Sequence, residues 1–222
     1  MKLSDILNLK TLRYSDDIEK KHLNKINSEP SMLAGFETSY FTGNPPPSND
    51  SSVTKLELEE LSKLKIDNAF VKEMDNVDGV FKEYCNAAGL DFPTNLIESL
   101  LTDSSIVVMK LKYHYNRPRP NQLANHPLIK MNIGNSHIMD SMKTPSYPSG
   151  HSTQGILIGK VLSDMYPSHE YNLMSLGRDI SKSRNIARAH YPSDSSFGMK
   201  LGYAMFNYLK KTNRLWEFFG KI

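Results

Sequence analysis

Three short motifs, far apart in the chain but fixed in order, constrain its fold more than any other feature. They are Lys112 with Arg119-Pro120, the run Pro148-Ser149-Gly150-His151, and Ser183-Arg184 followed by His190 and Asp194. In pattern form they read K-x6-R-P, P-S-G-H and S-R-x5-H-x3-D. Residues of these types act together only if the backbone between 112 and 194 brings them back to one place. So gathered, they supply cations, a Ser-Gly turn, two histidines and a carboxylate. That set suits holding a phosphoryl group and breaking its ester.

The segments between the motifs read as helices. Residues 1 to about 40 carry mixed charge with a weak helical pattern around Ile18 to Ile26. The stretch Gly43-Asn44-Pro45-Pro46-Pro47-Ser48-Asn49-Asp50-Ser51-Ser52 then interrupts them. Its prolines favour an extended segment, either a linker or a strap lying on the body. Residues 1–52 are therefore expected to form an N-terminal arm, and 53–222 the core domain. Ser51 or Ser52 can cap a helix from Val53 to Leu64. Phe70, Met74, Val77, Phe81 and Tyr84 recur at helical steps, closed by Gly89. Thr94 can cap a further helix that runs to Lys112. Pro118 and Pro120 end it, because each lacks an N–H and disfavours helix in the residue before it. An Asn-rich connection over residues 120–147 follows, of the length that is usually functional or mobile. Helices are expected from Ser149 to about Tyr166, Glu170 to Ala189 and Ser195 to Leu209, before an aromatic tail through Trp216, Phe218 and Phe219. Gly155-x3-Gly159 and Gly198-x3-Gly202 suggest close helix packing. Strand signals are weak, so the expected fold is all-α.

Each motif residue has a physical role open to it. Seven helical residues advance about 700°, so Lys112 and Arg119 would share a face of an unbroken helix. The prolines instead put Arg119 just past the helix end. Lys110 and Arg117-Pro118 also satisfy K-x6-R-P, which leaves the register open. Ser149 and Gly150 open a helix whose unpaired N–H groups attract an anion, and His151 projects from its first turn. Arg184 offers a planar fork for two phosphate oxygens, with Arg188, one turn on, as a competitor. Asp194 can accept from one ring nitrogen of His190 and leave the other free, or serve as a helix cap.

In order and spacing these motifs resemble the type 2 phosphatidic acid phosphatase (PAP2) superfamily, especially its soluble bacterial class A acid phosphatases. Vanadium haloperoxidases are relatives. The His114-Tyr115 pair and the second arginine, Arg117, favour the Lys112/Arg119 register within that resemblance. The resemblance implies a helical bundle of the PAP2 and haloperoxidase type. It also implies a metal-independent, vanadate-inhibited phosphomonoesterase working through a phosphohistidine. His190 would be the nucleophile, His151 the acid and base, and Asp194 the orienter. Lys112, Arg119, Ser149, Gly150 and Arg184 would hold the phosphate. Phosphotransfer to an alcohol is a natural extension. A vanadium-dependent haloperoxidase and a non-catalytic phosphate-binding protein are the alternatives.

Composition excludes several classes. A net charge of +3 over 222 residues is too small to argue for nucleic-acid binding. Cys85 is the single cysteine, so no intrachain disulfide can form, and its helical setting suggests a buried apolar role. No paired-Cys or H-E-x-x-H metal pattern is present, and no cofactor is expected. No stretch approaches the roughly 18–20 apolar residues of a membrane span, and the N-terminus lacks an apolar signal region. These features predict a soluble, cytoplasmic protein with a small phosphomonoester as its partner. A phage-encoded source and a homo-oligomeric state stay open. His22, His126, His137 and His169 read as surface or loop histidines.

Overall fold

The computed structural model describes residues 3–134, 139 and 142–215. Trp216, Phe218, Phe219 and His137 lie outside the described residues. The helices are α1 (Leu3–Thr11), α2 (Lys20–Ile26), α3 (Ser39–Thr42), α4 (Ser52–Lys63), α5 (Asn68–Glu73), α6 (Val77–Ala88), α7 (Thr94–Tyr115), α8 (Pro120–Ala124), α9 (Gly150–Met165), α10 (Glu170–Ile186) and α11 (Pro192–Lys211). No strand occurs among the described residues, so the fold is all-α. None of these helices is long and apolar enough to cross a membrane.

Helix α9 is the axis of the molecule. Ile156, Leu157, Ile158, Val161 and Leu162 are all buried, and Ser152, Thr153, Gly155 and Gly159 close its other faces. A helix covered all round must be central. Leu96, Ile97, Leu100 and Leu111 of α7, Phe81 and Cys85 of α6, and Leu201, Met205 and Leu209 of α11 complete the core around it. Met32 and Leu33, between α2 and α3, belong to the same core. The Leu33 amide donates to buried Asp103 at 2.9 Å, which fixes that segment to α7.

Glycines let α10 and α11 meet α9 backbone to backbone. A Cβ on Gly177 would lie 2.7 Å from the Gly155 carbonyl oxygen. One on Gly198 or Gly202 would lie 2.5 Å from the carbonyl oxygens of Ser149 or Thr153. The two G-x3-G patterns are thus packing devices, with Gly177 as the third partner.

Several helix limits differ from the sequence reading. The apolar repeat from Phe70 to Tyr84 is split into α5 and α6, because Asn76 caps α6 through a hydrogen bond from the Gly79 amide. Asp75 is left in the break. Thr94 is inside α7 rather than its cap, with Pro93 at the cap position. Helix α11 begins at Pro192 instead of Ser195, since proline's fixed φ suits the first helical position. Asp194 therefore sits inside the first turn. Pro120 starts α8 in the same way, so residues 120–147 are not wholly irregular.

The segment around Pro45–Pro47 lies against the body. Tyr147 donates its hydroxyl hydrogen to the Asn44 carbonyl at 2.9 Å, and Asn49 donates to the Leu9 and Leu12 carbonyls at 3.1 and 2.9 Å.

Candidate active site

Lys112 arrives on the last turn of α7. That helix ends at Asn116, whose φ of 49° and ψ of 39° leave the helical region. The chain then runs through Pro118 and Pro120, which releases Arg117 and Arg119 from any helical register. Lys112, buried at 5% exposure, donates from Nζ to the Pro145 carbonyl and, at 3.5 Å, to the Ser146 carbonyl. Burial lowers its pKa well below the usual lysine value, Arg119 adds to this, and Asp194 opposes it.

The two candidate registers place their residues differently. Lys110 reaches outward to Glu29 at 3.0 Å, whereas Lys112 lines the central pocket. Arg119 donates from Nη1 to the Ala189 carbonyl at 2.6 Å and to His190 Nε2 at 3.0 Å, and from Nε to the Thr144 carbonyl at 2.8 Å. Burial brings its pKa down to about 10. Arg117 points the other way. It donates to Asp194 at 2.5 Å and to Glu57 of α4 at 3.0 Å, and its guanidinium lies 3.8 Å over the Tyr191 ring.

His190 is held from both sides. A guanidinium can only donate, so Nε2 must accept from Arg119 and carries a lone pair. Nδ1 then bears the hydrogen and faces Asp194 Oδ2 at 3.4 Å. Burial pushes His190 well below the ordinary histidine pKa, Arg119 adds to that, and Asp194 opposes it. Asp194 is fully buried, yet its carboxylate is saturated with donors. Arg117 approaches Oδ1, while the Ser146 hydroxyl, the Tyr191 amide at 3.0 Å and His190 approach Oδ2. Burial alone would raise this carboxyl. Arg117, His190 and Ser146 outweigh it and hold Asp194 below the usual carboxylate range.

Ser149 caps α9 by accepting from the Ser152 amide at 3.3 Å. Its own amide, expected to face an anion, donates instead to the Asp194 carbonyl at 3.1 Å. Gly150 lines the pocket, and among the described residues its amide has no backbone partner. His151 is 18% exposed and bonds through Nε2 to Asp75 Oδ1 at 3.1 Å. Burial lowers its pKa, while Asp75 pulls the other way.

Arg184, fully buried, donates from Nη1 to the same Asp75 oxygen at 2.5 Å. Arg188 turns away to the Ile186 and Leu64 carbonyls at 2.8 and 2.9 Å. The hydrogen bond from His151, and Arg184 beside it, hold Asp75 below the usual carboxylate range against the effect of burial.

Lys112, Gly150, His151 and His190 line a cavity of about 300 Å³, with Arg119 and Asp194 bonded to His190 behind it and Arg184 joined to His151 through Asp75. Three contributors lie outside the motifs. Glu57 fixes Arg117 and accepts from the Ser193 amide at 2.6 Å. Its signal was a carboxylate on the buried face of α4, between Thr54, Leu58 and Leu61. Asp75 had no signal beyond a polar pair inside an apolar repeat. His22 corrects the surface reading. It is 9% exposed, bonds Tyr113 through Nδ1 at 2.8 Å and lines the cavity. His126 lies in a loop but is buried, and His169 pairs with Tyr84 at 2.9 Å.

Residues 92–216 match the sequence model of the PAP2 superfamily. A stretch of 113 residues is 34% identical to a non-specific acid phosphatase of Salmonella typhimurium, covering 50% of this chain and 44% of that protein. Another of 137 residues is 29% identical to an acid phosphatase of Zymomonas mobilis, covering 57% of this chain and 47% of that one. The matched stretches therefore span less than half the length of these relatives. The fold also aligns over 89% of this chain and 50% of a bacterial vanadium-dependent iodoperoxidase, with a TM-score of 0.45 and 14% identity.

Proposed function

Because this chain belongs to the PAP2 superfamily, we propose that it hydrolyses phosphomonoesters through a covalent phosphohistidine on His190. The observation that carries this reading is the fixed tautomer of His190. Arg119 donates to Nε2 and Asp194 faces Nδ1, so the ring carries its lone pair on Nε2 beside three buried cations, and that lone pair is freed for attack when Arg119 turns its donor to the phosphate oxygens.

In the first step His190 Nε2 attacks phosphorus in line, and the bond from phosphorus to the ester oxygen breaks. His151 gives that oxygen a proton. In the second step water attacks the phosphohistidine, and neutral His151 takes a proton from it. The phosphorus–nitrogen bond breaks, releasing phosphate and free His190. Lys112, Arg119 and Arg184, with the Gly150 amide, hold the equatorial oxygens as negative charge spreads over them. An alcohol in place of water would give phosphotransfer.

The pH dependence follows from the two histidines. Burial sets His151 below the ordinary histidine value of about 6.5. Its acid form, needed for the first step, is therefore lost as pH rises through that lowered pKa. His190 is depressed further and stays neutral through the same range. Turnover is highest on the acidic side of neutrality and falls as pH rises.

The test is hydrolysis of p-nitrophenyl phosphate from about pH 4 to about 8, with EDTA, with and without vanadate, and with His190→Ala as control. EDTA-resistant turnover that vanadate inhibits and the mutation abolishes is expected. An unchanged rate in His190→Ala would remove the nucleophile assignment, and absence of turnover in the folded wild type would remove the hydrolase reading.

A further inference from the structure

Asp75 lies outside all three motifs, yet it touches two of their residues, His151 and Arg184. It occupies the break between α5 and α6, with its side chain 42% exposed. Its Oδ1 is 3.1 Å from His151 Nε2 and 2.5 Å from Arg184 Nη1, and its backbone carbonyl is 3.2 Å from the same Nε2. A carboxylate oxygen and a carbonyl oxygen can only accept. His151 Nε2 must therefore carry a hydrogen. Nδ1 is left with no partner among the described residues. Among the described residues, the acceptors bonded to His151 both lie on Asp75, and the other charged neighbour, Arg184, is cationic.

The two histidines are thus held in opposite tautomers by two carboxylates. Asp194 faces Nδ1 of His190 and leaves Nε2 with a lone pair. Asp75 faces Nε2 of His151 and leaves Nδ1 without a partner among the described residues. We propose that Asp75 is the positioning residue of the proton-transfer step, fixing the His151 tautomer so that Nδ1 serves the leaving group. This rests on the phosphomonoesterase reading above. When the ester bond breaks, the proton moves from His151 Nδ1 to the departing oxygen, and the ring becomes neutral with its Nε2–H still on Asp75. The same Nδ1 then takes the proton of the attacking water.

Such a role has a distinct kinetic signature. A p-nitrophenolate leaves readily without a proton, whereas an alkoxide from a simple alkyl phosphate does not. Asp75→Ala should therefore lower kcat for an alkyl phosphate by about 10²-fold, and for p-nitrophenyl phosphate by only a few-fold. Asp75→Asn keeps one acceptor oxygen and should recover part of the alkyl phosphate rate. If Asp75 merely held Arg184, both substrates would suffer alike, chiefly in KM, and that result would overturn the proposal. Equal wild-type rates in Asp75→Ala, with either substrate, would overturn it too.

Nitrogen-15 NMR of the imidazoles in full-length protein supplies a readout independent of turnover. The wild type should show a His151 Nε2–H tautomer that Asp75→Ala loses while its thermal unfolding stays cooperative. An unchanged tautomer overturns the positioning role. If the wild type is inert toward both phosphates but the tautomer depends on Asp75, the hydrolase reading fails while the tautomer lock stands.

Discussion

His190 and Asp194 are carried where α10 and α11 meet α9 along glycine-lined contacts, whereas Glu57, Asp75 and His22 reach the motif residues or the cavity from elements before residue 92. The first group is set by backbone. Gly198 lies so close to Ser149 that a methyl group would sit 2.5 Å from its carbonyl oxygen, and the Ser149 amide bonds the Asp194 carbonyl. The start of α9 and the start of α11 thus form one rigid corner. The second group is set by side chains. Asp75 is 42% exposed, and α2 shows most of its surface to solvent. No glycine before residue 92 meets the α9 backbone as Gly177, Gly198 and Gly202 do. The contrast separates two jobs. On the proposed mechanism, the later helices fix the reacting atoms, and the earlier ones orient and enclose them.

Substitutions can test that division. His190→Ala should have the largest effect, a loss of about 10³-fold or more in kcat with the fold retained. Circular dichroism beside the assay checks this, and residual activity near wild type would dissolve the contrast at its strongest point. Gly198→Ala comes next. It should cost about 1–3 kcal/mol in denaturant unfolding, and it should lower turnover with it because the corner must open. A variant as stable as wild type would mean that the close contact is not a constraint. Glu57→Gln removes one charge from the Glu57–Arg117–Asp194 chain. A destabilisation of about 1–3 kcal/mol is expected, with kcat reduced about tenfold and KM little changed. A change confined to KM would place Glu57 on the substrate side instead. His22→Ala should be mildest, shifting KM by less than about fivefold with kcat preserved, since it encloses the cavity without touching Asp194 or His190. A large kcat loss there would blur the two regions.

The same contrast explains what could be read from the sequence. Lys112, His151, Arg184, His190 and Asp194 announce themselves because residues on successive helices must keep fixed intervals to converge. Pro118 and Pro120 were legible as helix stops, and Pro192 lies just past the expected end of the 170–189 helix. Their second effect was not, because proline at the first helical position also starts the next helix, and this moves Asp194 into the first turn of α11. The break at Asp75 was hidden for a different reason. Apolar spacing runs straight through it, and the interruption comes from a side-chain cap at Asn76 that periodicity does not register. Arg188 shows the limit at the other end of the same motif. Its φ of 55° ends the turn after α10 and sends its side chain toward the Leu64 carbonyl, away from the pocket. His22 has no pattern of its own, and its place over the cavity depends on how α2 lies against α7.

The central claim is that the His190 Nε2 lone pair becomes bonded to phosphorus during turnover. The most direct measurement is acid-free rapid quenching of the wild-type enzyme with an isotopically labelled phosphomonoester, followed by mass spectrometry of the peptide containing His190. A phosphoryl adduct on His190 that forms and decays at catalytic rates is the predicted result. Steady turnover with no adduct, or an adduct on another residue, would contradict it.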